Sequence, residues 1–379
     1  MRGGVAVTNT IVLPPNGDNL ESCLKNIVEG FSRVKAKCPA PPIAISFAFP
    51  GPADYPNGII GDLGNLPAFR GGVALGPMLQ ARFKLPVFIN NDGDLFTYGE
   101  AIAGLLPHVN NLLAKAGSPK RFNNLFGVTL GTGLGGGIVR HGELFVGDNS
   151  GAGEIWLLRN KCAPQMNAEE GASIRAVRRV YAETAGIPFE QSPEPKTIAA
   201  IALGQIPGNT IAAVEAYRRM GEVVGDAMGN ALTLIDGLAV VGGGISKSHS
   251  LFLPALVAEL NSHYTGPDGK SFRRLSTVAF NLEDPAQLQQ FLEGETREIT
   301  VPGSTQKIKY DPLQRLGVGM SRMGTSEAVA VGAYAFALRK LDVEALAKPN
   351  LLTGESGMRL PLLDGLPQTC GASLAEIRS

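Results

Sequence analysis

The sequence predicts an α/β fold in two domains, and three observations carry that prediction. Strand-like and helix-like segments alternate over residues 5–106, which implies a layer with a parallel component. A glycine-laden hairpin pattern interrupts the alternation at 126–147, after which long helical periodicity returns. At 379 residues the chain also exceeds what one hydrophobic core usually supports.

Taken in order, residues 5–13 (VAVTNTIVL) read as a strand, and 20–37 (LESCLKNIVEGFSRVKAK) place apolar residues at helical spacing. The short apolar run 43–51 (IAISFAFPG) reads as a buried strand closed by Pro50-Gly51. A proline- and glycine-rich passage containing Gly64-Asn65-Leu66-Pro67 follows, then a helix near 73–83. Residues 85–92 (LPVFINND) form another buried strand that ends at Asn91-Asp92, where the helix carrying LFTYGEAIAGLL begins. Beyond the hairpin region, 172–184 and 209–236 are helical by their spacing. Residues 238–246 (LAVVGGGIS) are a strand running into three glycines and then a helix from about 250, an arrangement that suits a nucleotide. Residues 264–315 look like an insertion, with a hairpin at 297–310 around Pro302-Gly303, and 325–340 form an amphipathic helix. The last 39 residues carry no interpretable motif.

Composition bounds the partners. Lys plus Arg and Asp plus Glu both total 34, so there is no electrostatic footprint for nucleic acid or an anionic membrane, and the expected ligand is small. No apolar run reaches the length of a membrane span and no signal peptide is recognisable. The four cysteines (Cys23, Cys38, Cys162, Cys370) show no short pairing motif, which argues for reduced thiols in a cytoplasm and against a cysteine-built metal site. None of His108, His141, His249 and His263 has metal-ligand spacing.

Two kinds of chemistry stand out. Gly131, Gly133, Gly135, Gly136 and Gly137 leave a turn with almost no side chains, where backbone N–H groups can cradle an anion, although a tight hairpin with purely conformational glycines reads equally well. Asn91 and Asp92 sit at the carboxyl end of a buried strand, where α/β folds bind ligands. A carboxylate there could take the proton of an attacking hydroxyl while the amide orients it, or Asp92 or Asp94 could simply cap the helix. Glu154, in Gly-Ala-Gly-Glu, follows small residues that leave room for close approach, and Glu169 precedes a helix where an acid also suits the dipole. Two acids with an Asn-Asp pair supply what a polyhydroxy ligand needs, namely several hydroxyl acceptors and one base.

These segments, in this order, resemble the ROK family of sugar kinases and repressors, within the actin-like sugar-kinase superfamily. The resemblance runs through residues 49–67, 89–92, 125–147, Gly151 to Glu154, 167–173 and 238–246, and covers most of residues 40–340. It implies a two-domain actin-like ATPase (ribonuclease H-like) α/β fold with a cleft between domains. The N-terminal domain would comprise 1–120 plus 325–345, its first strand missing; the C-terminal domain would comprise 121–324 with the insertion 264–315; and 346–379 would be a tail. By the same resemblance Asp92 is the general base, and Asn91, Glu154, Glu169, Gly51 and Asn65 contact the sugar. Gly131, Thr132 and Gly133 form the second phosphate loop, and Gly242, Gly243 and Gly244 lie against the nucleoside. The implied activity is phosphorylation of a hexose or N-acylhexosamine, glucokinase-like, with ATP and Mg2+ in a cytoplasmic homodimer.

Two departures qualify these expectations. The family's zinc signature begins with a histidine where this chain has Leu157, and its cysteine cluster is replaced by KCAPQMNAEE, so no structural zinc is expected. The family's opening strand and Asp-x-Gly-Gly-Thr phosphate turn are also not found, and Arg2-Gly3-Gly4 does not substitute for them. The alternative is therefore a non-catalytic sugar-binding or sensory relative that kept the pocket. The repressor branch requires a helix-turn-helix ahead of the sugar domain and is set aside.

Overall fold

The computed structural model describes residues 1, 5–51, 53–61 and 66–347. Met1–Lys340 forms one unit, and Leu341–Ser379 forms a second, whose described residues 341–347 complete the last helix.

The first unit begins with a small α/β layer. Helix α1 (Leu20–Lys37) starts at Asn19, whose side chain accepts the Ser22 N–H at 2.9 Å and satisfies one of the orphan donors of a helix start. Strand β1 (Ile45–Ala48) is followed by the short antiparallel pair β2 (Ala53–Asp54) and β3 (Ile59–Ile60), then helix α2 (Leu75–Phe83) and strand β4 (Val87–Asn90). β1 and β4 pair in parallel, Ile45 opposite Val87 and Ala48 opposite Asn90. Ile45, Phe49, Ile60, Phe69, Leu75, Leu79 and Ile89 form the apolar core that α1 and α2 cover.

The strand expected over residues 5–13 does not form. Only Val5 makes a bridge, and Thr8 spends its hydroxyl on the neighbouring Asn9 carbonyl, the kind of local bond that competes with a ladder. Residues 6–11 instead line a cavity of about 500 Å³ together with Asn26, Phe31, Val34 and Phe47 from α1 and β1.

Helices α3 (Asp92–Ala103) and α4 (Leu105–Lys115) lead into the main sheet. Its first three strands are β5 (Leu125–Leu130), β6 (Leu134–Arg140) and β7 (Glu143–Leu144), all antiparallel neighbours. Helices α5 (Ile174–Ala185), α6 (Pro195–Ala202) and α7 (Thr210–Ile235) precede β8 (Leu238–Gly242), and α8 (His249–Leu260) follows it. The remainder comprises the exposed hairpin β9 (His263–Thr265) and β10 (Ser271–Arg273), strand β11 (Val278–Asn281), and helix α9 (Pro285–Glu293). A second exposed hairpin, β12 (Arg297–Thr300) and β13 (Lys307–Tyr310), precedes strand β14 (Arg315–Met320) and helix α10 (Thr325–Ala347). The six-stranded order is β11-β14-β8-β5-β6-β7, with β11, β14, β8 and β5 mutually parallel. The segment read as an insertion thus contributes the sheet's edge strand β11, with only its two hairpins standing proud.

A sheet covered on both faces needs apolar residues in both directions, and β8 supplies them. Ala239 and Val241 face the core built from α5, α7 and α8, while Leu238 and Val240 face the core built from α3 and α4. The mixed α/β order, with an antiparallel β5-β6-β7 run followed by parallel strands, is the expected actin-like arrangement. No helix among the described residues is long and apolar enough to cross a membrane.

Candidate functional site

Asn91 and Asp92 stand where β4 gives way to α3. Asn91 is extended (φ −64°, ψ 149°), and its Oδ1 accepts the Gly93 N–H at 2.7 Å, which makes Asn91 the cap and leaves Asp92 as the first helical residue. Asp92 Oδ1 accepts the same N–H at 3.0 Å, and its side chain is exposed, so a carboxylate favoured by the helix dipole is available to a ligand.

Three glycine backbones bring Asp92 beside Glu154. A Cβ on Gly93 would lie 2.6 Å from the Gly136 carbonyl, one on Gly136 would lie 2.5 Å from the Gly153 carbonyl, and one on Gly153 (φ +81°) would lie 3.1 Å from Gly137 Cα. The start of α3, strand β6 and the loop carrying Glu154 therefore pack main chain to main chain, a closeness side chains would forbid. Gly135, Gly136 and Gly137 belong to β6, opposite Thr129, Val128 and Gly127, so only residues 131–133 form the turn. Glu154 is half buried, and the Trp156 indole Nε1 donates to its Oε2.

Sequence reasoning did not single out Tyr55, which belongs to this cluster. Its hydroxyl donates to the Phe49 carbonyl at 2.9 Å and accepts from Asn91 Nδ2 at 3.4 Å. Gly51 lies beneath it: a Cβ there would be 2.6 Å from the Tyr55 oxygen and 3.3 Å from Asn91 Nδ2. Burial pushes the phenol's pKa up, the Asn91 bond opposes that, and the charges of Asp94, Asp92 and Glu154 push the same way as burial. Asp94, in the first turn of α3, is 2% exposed and its Oδ1 has no hydrogen-bond partner among the described residues. Desolvation first, then the charges of Glu154 and Asp92, raise its carboxyl well above the usual range. Asn65 lies outside the described residues.

The glycine turns form a second group. β5 and β8 are parallel neighbours with Thr129 opposite Gly242, so the turns after both strands emerge at the same sheet edge, the usual ligand side of an α/β sheet. In the 131–133 turn, the Gly131 N–H bonds to the Gly133 carbonyl at 3.0 Å, and the Gly131 carbonyl accepts the Ile174 N–H from the start of α5 at 2.9 Å. The Leu134 N–H goes to Glu169 Oε2 at 3.1 Å. The amides of Thr132 and Gly133 have no protein partner among the described residues, and they are the two left to meet an anion.

Glu169 is spent on that turn. Besides the Leu134 bond it accepts from Arg175 Nη2 at 2.7 Å, and a Cβ on Gly133 would lie 2.4 Å from its Oε2. Its contacts tie it to the 131–133 turn, whereas Asn91 and Gly51 lie against Tyr55 and the charges of Asp92 and Glu154 reach it. Of the other glycines, Gly242 packs on the Phe96 ring and Gly243 (φ +91°) on the Leu130 backbone, with the Gly243 N–H bonded to Thr325 Oγ1 at 2.9 Å. Gly244 faces open space. The two groups adjoin, because a Cβ on Gly135 would lie 4.0 Å from Gly93 Cα, placing Asp92's helix beside the strand that leaves the 131–133 turn.

The 159–167 loop is closed by an Arg159–Asn167 bridge, and Lys161 ties it to Glu222 of α7 at 3.2 Å and to Glu259 of α8 at 2.5 Å. Leu157 is 59% exposed and Cys162 is a free thiol.

Comparison with known proteins gives one family model, the ROK family, matched over residues 12–281. The crystal structure of a glucokinase from Parabacteroides distasonis ATCC 8503 is 50% identical, covering 89% of this chain and 93% of that one, with a TM-score of 0.81. A Thermotoga maritima glucokinase is 31% identical over 170 residues, 43% of this chain and 49% of that protein. A Streptomyces griseus ROK family glucokinase, solved with glucose and AMPPNP, shares the fold at 19% identity and a TM-score of 0.55, covering 88% of this chain and 93% of that one. The chain spans about half the length of the curated relatives it matches.

Proposed function

The chain belongs to the ROK family, and from that premise we propose that it is a sugar kinase that transfers the terminal phosphoryl group of ATP to a hydroxyl of a hexose or N-acetylhexosamine. The observation that carries this reading is the adjacency of two half-sites: an exposed carboxylate with hydroxyl acceptors, and a turn presenting two unpartnered amides, joined through the Gly93–Gly135 contact.

The chemistry assigns the parts. Phosphoryl transfer requires mainly positioning and neutralisation of charge. The Asp92 carboxylate takes the proton of the attacking hydroxyl, and Asn91 donates to the oxygen of that same hydroxyl. Glu154, its second oxygen held by Trp156, accepts a neighbouring sugar hydroxyl. The Thr132 and Gly133 amides donate to phosphoryl oxygens, and the space beside Gly244 admits the nucleoside. Glu169 serves the site as the brace of the phosphate turn. Mg2+ would neutralise the phosphates. Residues 1–120 would supply Asn91 and Asp92 to the sugar, and 121–324 would supply Glu154 to the sugar and the glycine turns to the nucleotide.

The test is ADP release with MgATP and a panel of hexoses and N-acetylhexosamines. Release that depends on one of these sugars is expected. Folded protein that binds a sugar yet releases no ADP would overturn the kinase reading in favour of a sugar-binding relative.

A further inference from the structure

An asparagine beside a reacting hydroxyl can present either its carbonyl or its NH2, and the choice decides whether it helps or blocks proton removal. Only the NH2 end donates to the hydroxyl oxygen and leaves the proton free for Asp92. Two contacts set that choice here. The Gly93 N–H claims Asn91 Oδ1 at 2.7 Å, and the Tyr55 oxygen faces Nδ2 at 3.4 Å.

The Tyr55 contact has a defined direction. The phenol's single proton goes to the Phe49 carbonyl at 2.9 Å, so toward Asn91 the oxygen can only accept. Burial, together with the charges of Asp94, Asp92 and Glu154, keeps the phenol protonated and hence keeps that direction. Gly51 permits the arrangement, since any larger residue would put a carbon 2.6 Å from the Tyr55 oxygen. One amide proton of Asn91 is thereby engaged, and the other is left for a ligand.

We propose that Tyr55 is a positioning residue for phosphoryl transfer, its hydroxyl fixing the Asn91 amide so that the remaining N–H meets the oxygen of the hydroxyl to be phosphorylated. This rests on the kinase reading and deepens it at the same site. At 3.4 Å the bond lies at the long end of the hydrogen-bond range.

Tyr55→Phe keeps the ring and deletes only the oxygen, so it separates positioning from packing. Wild type, Tyr55→Phe, Asn91→Ala and the double variant are compared in sugar-dependent ADP release. Tyr55→Phe is expected to lower kcat/KM for the sugar by about fivefold to tenfold while leaving KM for ATP unchanged, and to have no effect once Asn91 is alanine. A Tyr55→Phe enzyme within about twofold of wild type, or a loss that persists in the Asn91→Ala background, overturns the inference.

If wild type shows no turnover with any sugar, the kinase reading has failed, and the positioning is read directly from the 15N side-chain amide signals of Asn91. Two resolved signals that exchange slowly with solvent, collapsing in Tyr55→Phe, support it. Signals unchanged by the substitution overturn it.

Discussion

Replacing Glu100 tests how α3, the helix that begins at Asp92, is fastened to the loop ahead of α10. Glu100 is fully buried in α3, eight residues after Asp92, yet its carboxylate is saturated by donors. Oε1 accepts Ser321 Oγ at 2.5 Å and the Met323 N–H at 3.1 Å; Oε2 accepts the Leu105 N–H at 2.7 Å and the Arg322 N–H at 3.3 Å. The loop 321–324 leads directly to Thr325, which holds Gly243, so one side chain ties the helix of Asp92 to the glycine turn after β8.

Glu100→Ala removes the acceptor of three backbone donors, the buried Leu105 N–H and the partly buried N–H groups of Arg322 and Met323. At the low end of about 1–3 kcal/mol for each unsatisfied group, since water can enter the vacated space, the loss is about 3–5 kcal/mol. Glu100→Gln is milder. With its NH2 at the Oε1 position, Ser321 can rotate to accept, and only the Met323 N–H loses its partner, a cost of about 1–2 kcal/mol. For the unit of some 340 residues, an unfolding entropy of about 2.1 cal/mol/K per residue converts each kcal/mol into about 1.4 °C of melting temperature. Calorimetry should therefore place Glu100→Ala about 4–7 °C and Glu100→Gln about 1–3 °C below wild type. Equal losses in the two variants, or an alanine within about 1 kcal/mol of wild type, would refute the bond-by-bond reasoning.

Three further outcomes follow from the same geometry. Asp94→Asn should stabilise the protein at pH 7: the carboxyl's folded pKa is raised, so its favourable contribution is complete below the unfolded value and is lost as pH rises through the folded one. Melting temperatures from pH 4 to 8 should show the variant gaining on wild type with rising pH, and a constant difference would contradict this. Trp156→Phe removes the donor on Glu154 and should raise KM for the sugar by about fivefold without altering KM for ATP, as measured by steady-state kinetics. Thr325→Ala frees the Gly243 amide and should do the reverse, raising KM for ATP several-fold and leaving the sugar's alone, again by steady-state kinetics.

Much of the fold was legible because it is written in periodicity. The spacing in 20–37 and 209–236 and the apolar runs at 43–51, 85–92 and 238–242 each became the expected element within a few residues. Residues 5–13 did not, because a β-branched run becomes a strand only when it pairs, and Thr8 and Asn9 bond locally instead. β11 and β14 were hidden for a related reason: VAFN and RLGVGM are short, and what makes them strands is each other and β8.

The candidate site was legible where chemistry coincides with an element boundary. Asn91 and Asp92 stand at a strand-to-helix junction, and the structure gives the capping role to Asn91, leaving Asp92 exposed. The glycine run carried two meanings that sequence could not separate: a turn at 131–133, and main-chain contacts at 135–137 that bring Asp92 and Glu154 together. Tyr55, Trp156 and Thr325 have no motif to reveal them, because each matters through one polar atom aimed at a residue distant in sequence or across a tight turn. In sequence Asp94 offers only a cap, since its burial comes from β6 packing over it: a Cβ on Gly137 would lie 2.9 Å from Asp94 Cα.

If this chain is a sugar kinase, Asp92 is its base. The most direct test of that role pairs ADP release with calorimetric sugar binding for wild type and Asp92→Asn, using the sugar that supports turnover. Wild type should release ADP with the sugar, the variant should lose about a hundredfold or more, and sugar affinity should be retained. Turnover that survives the substitution would contradict that role.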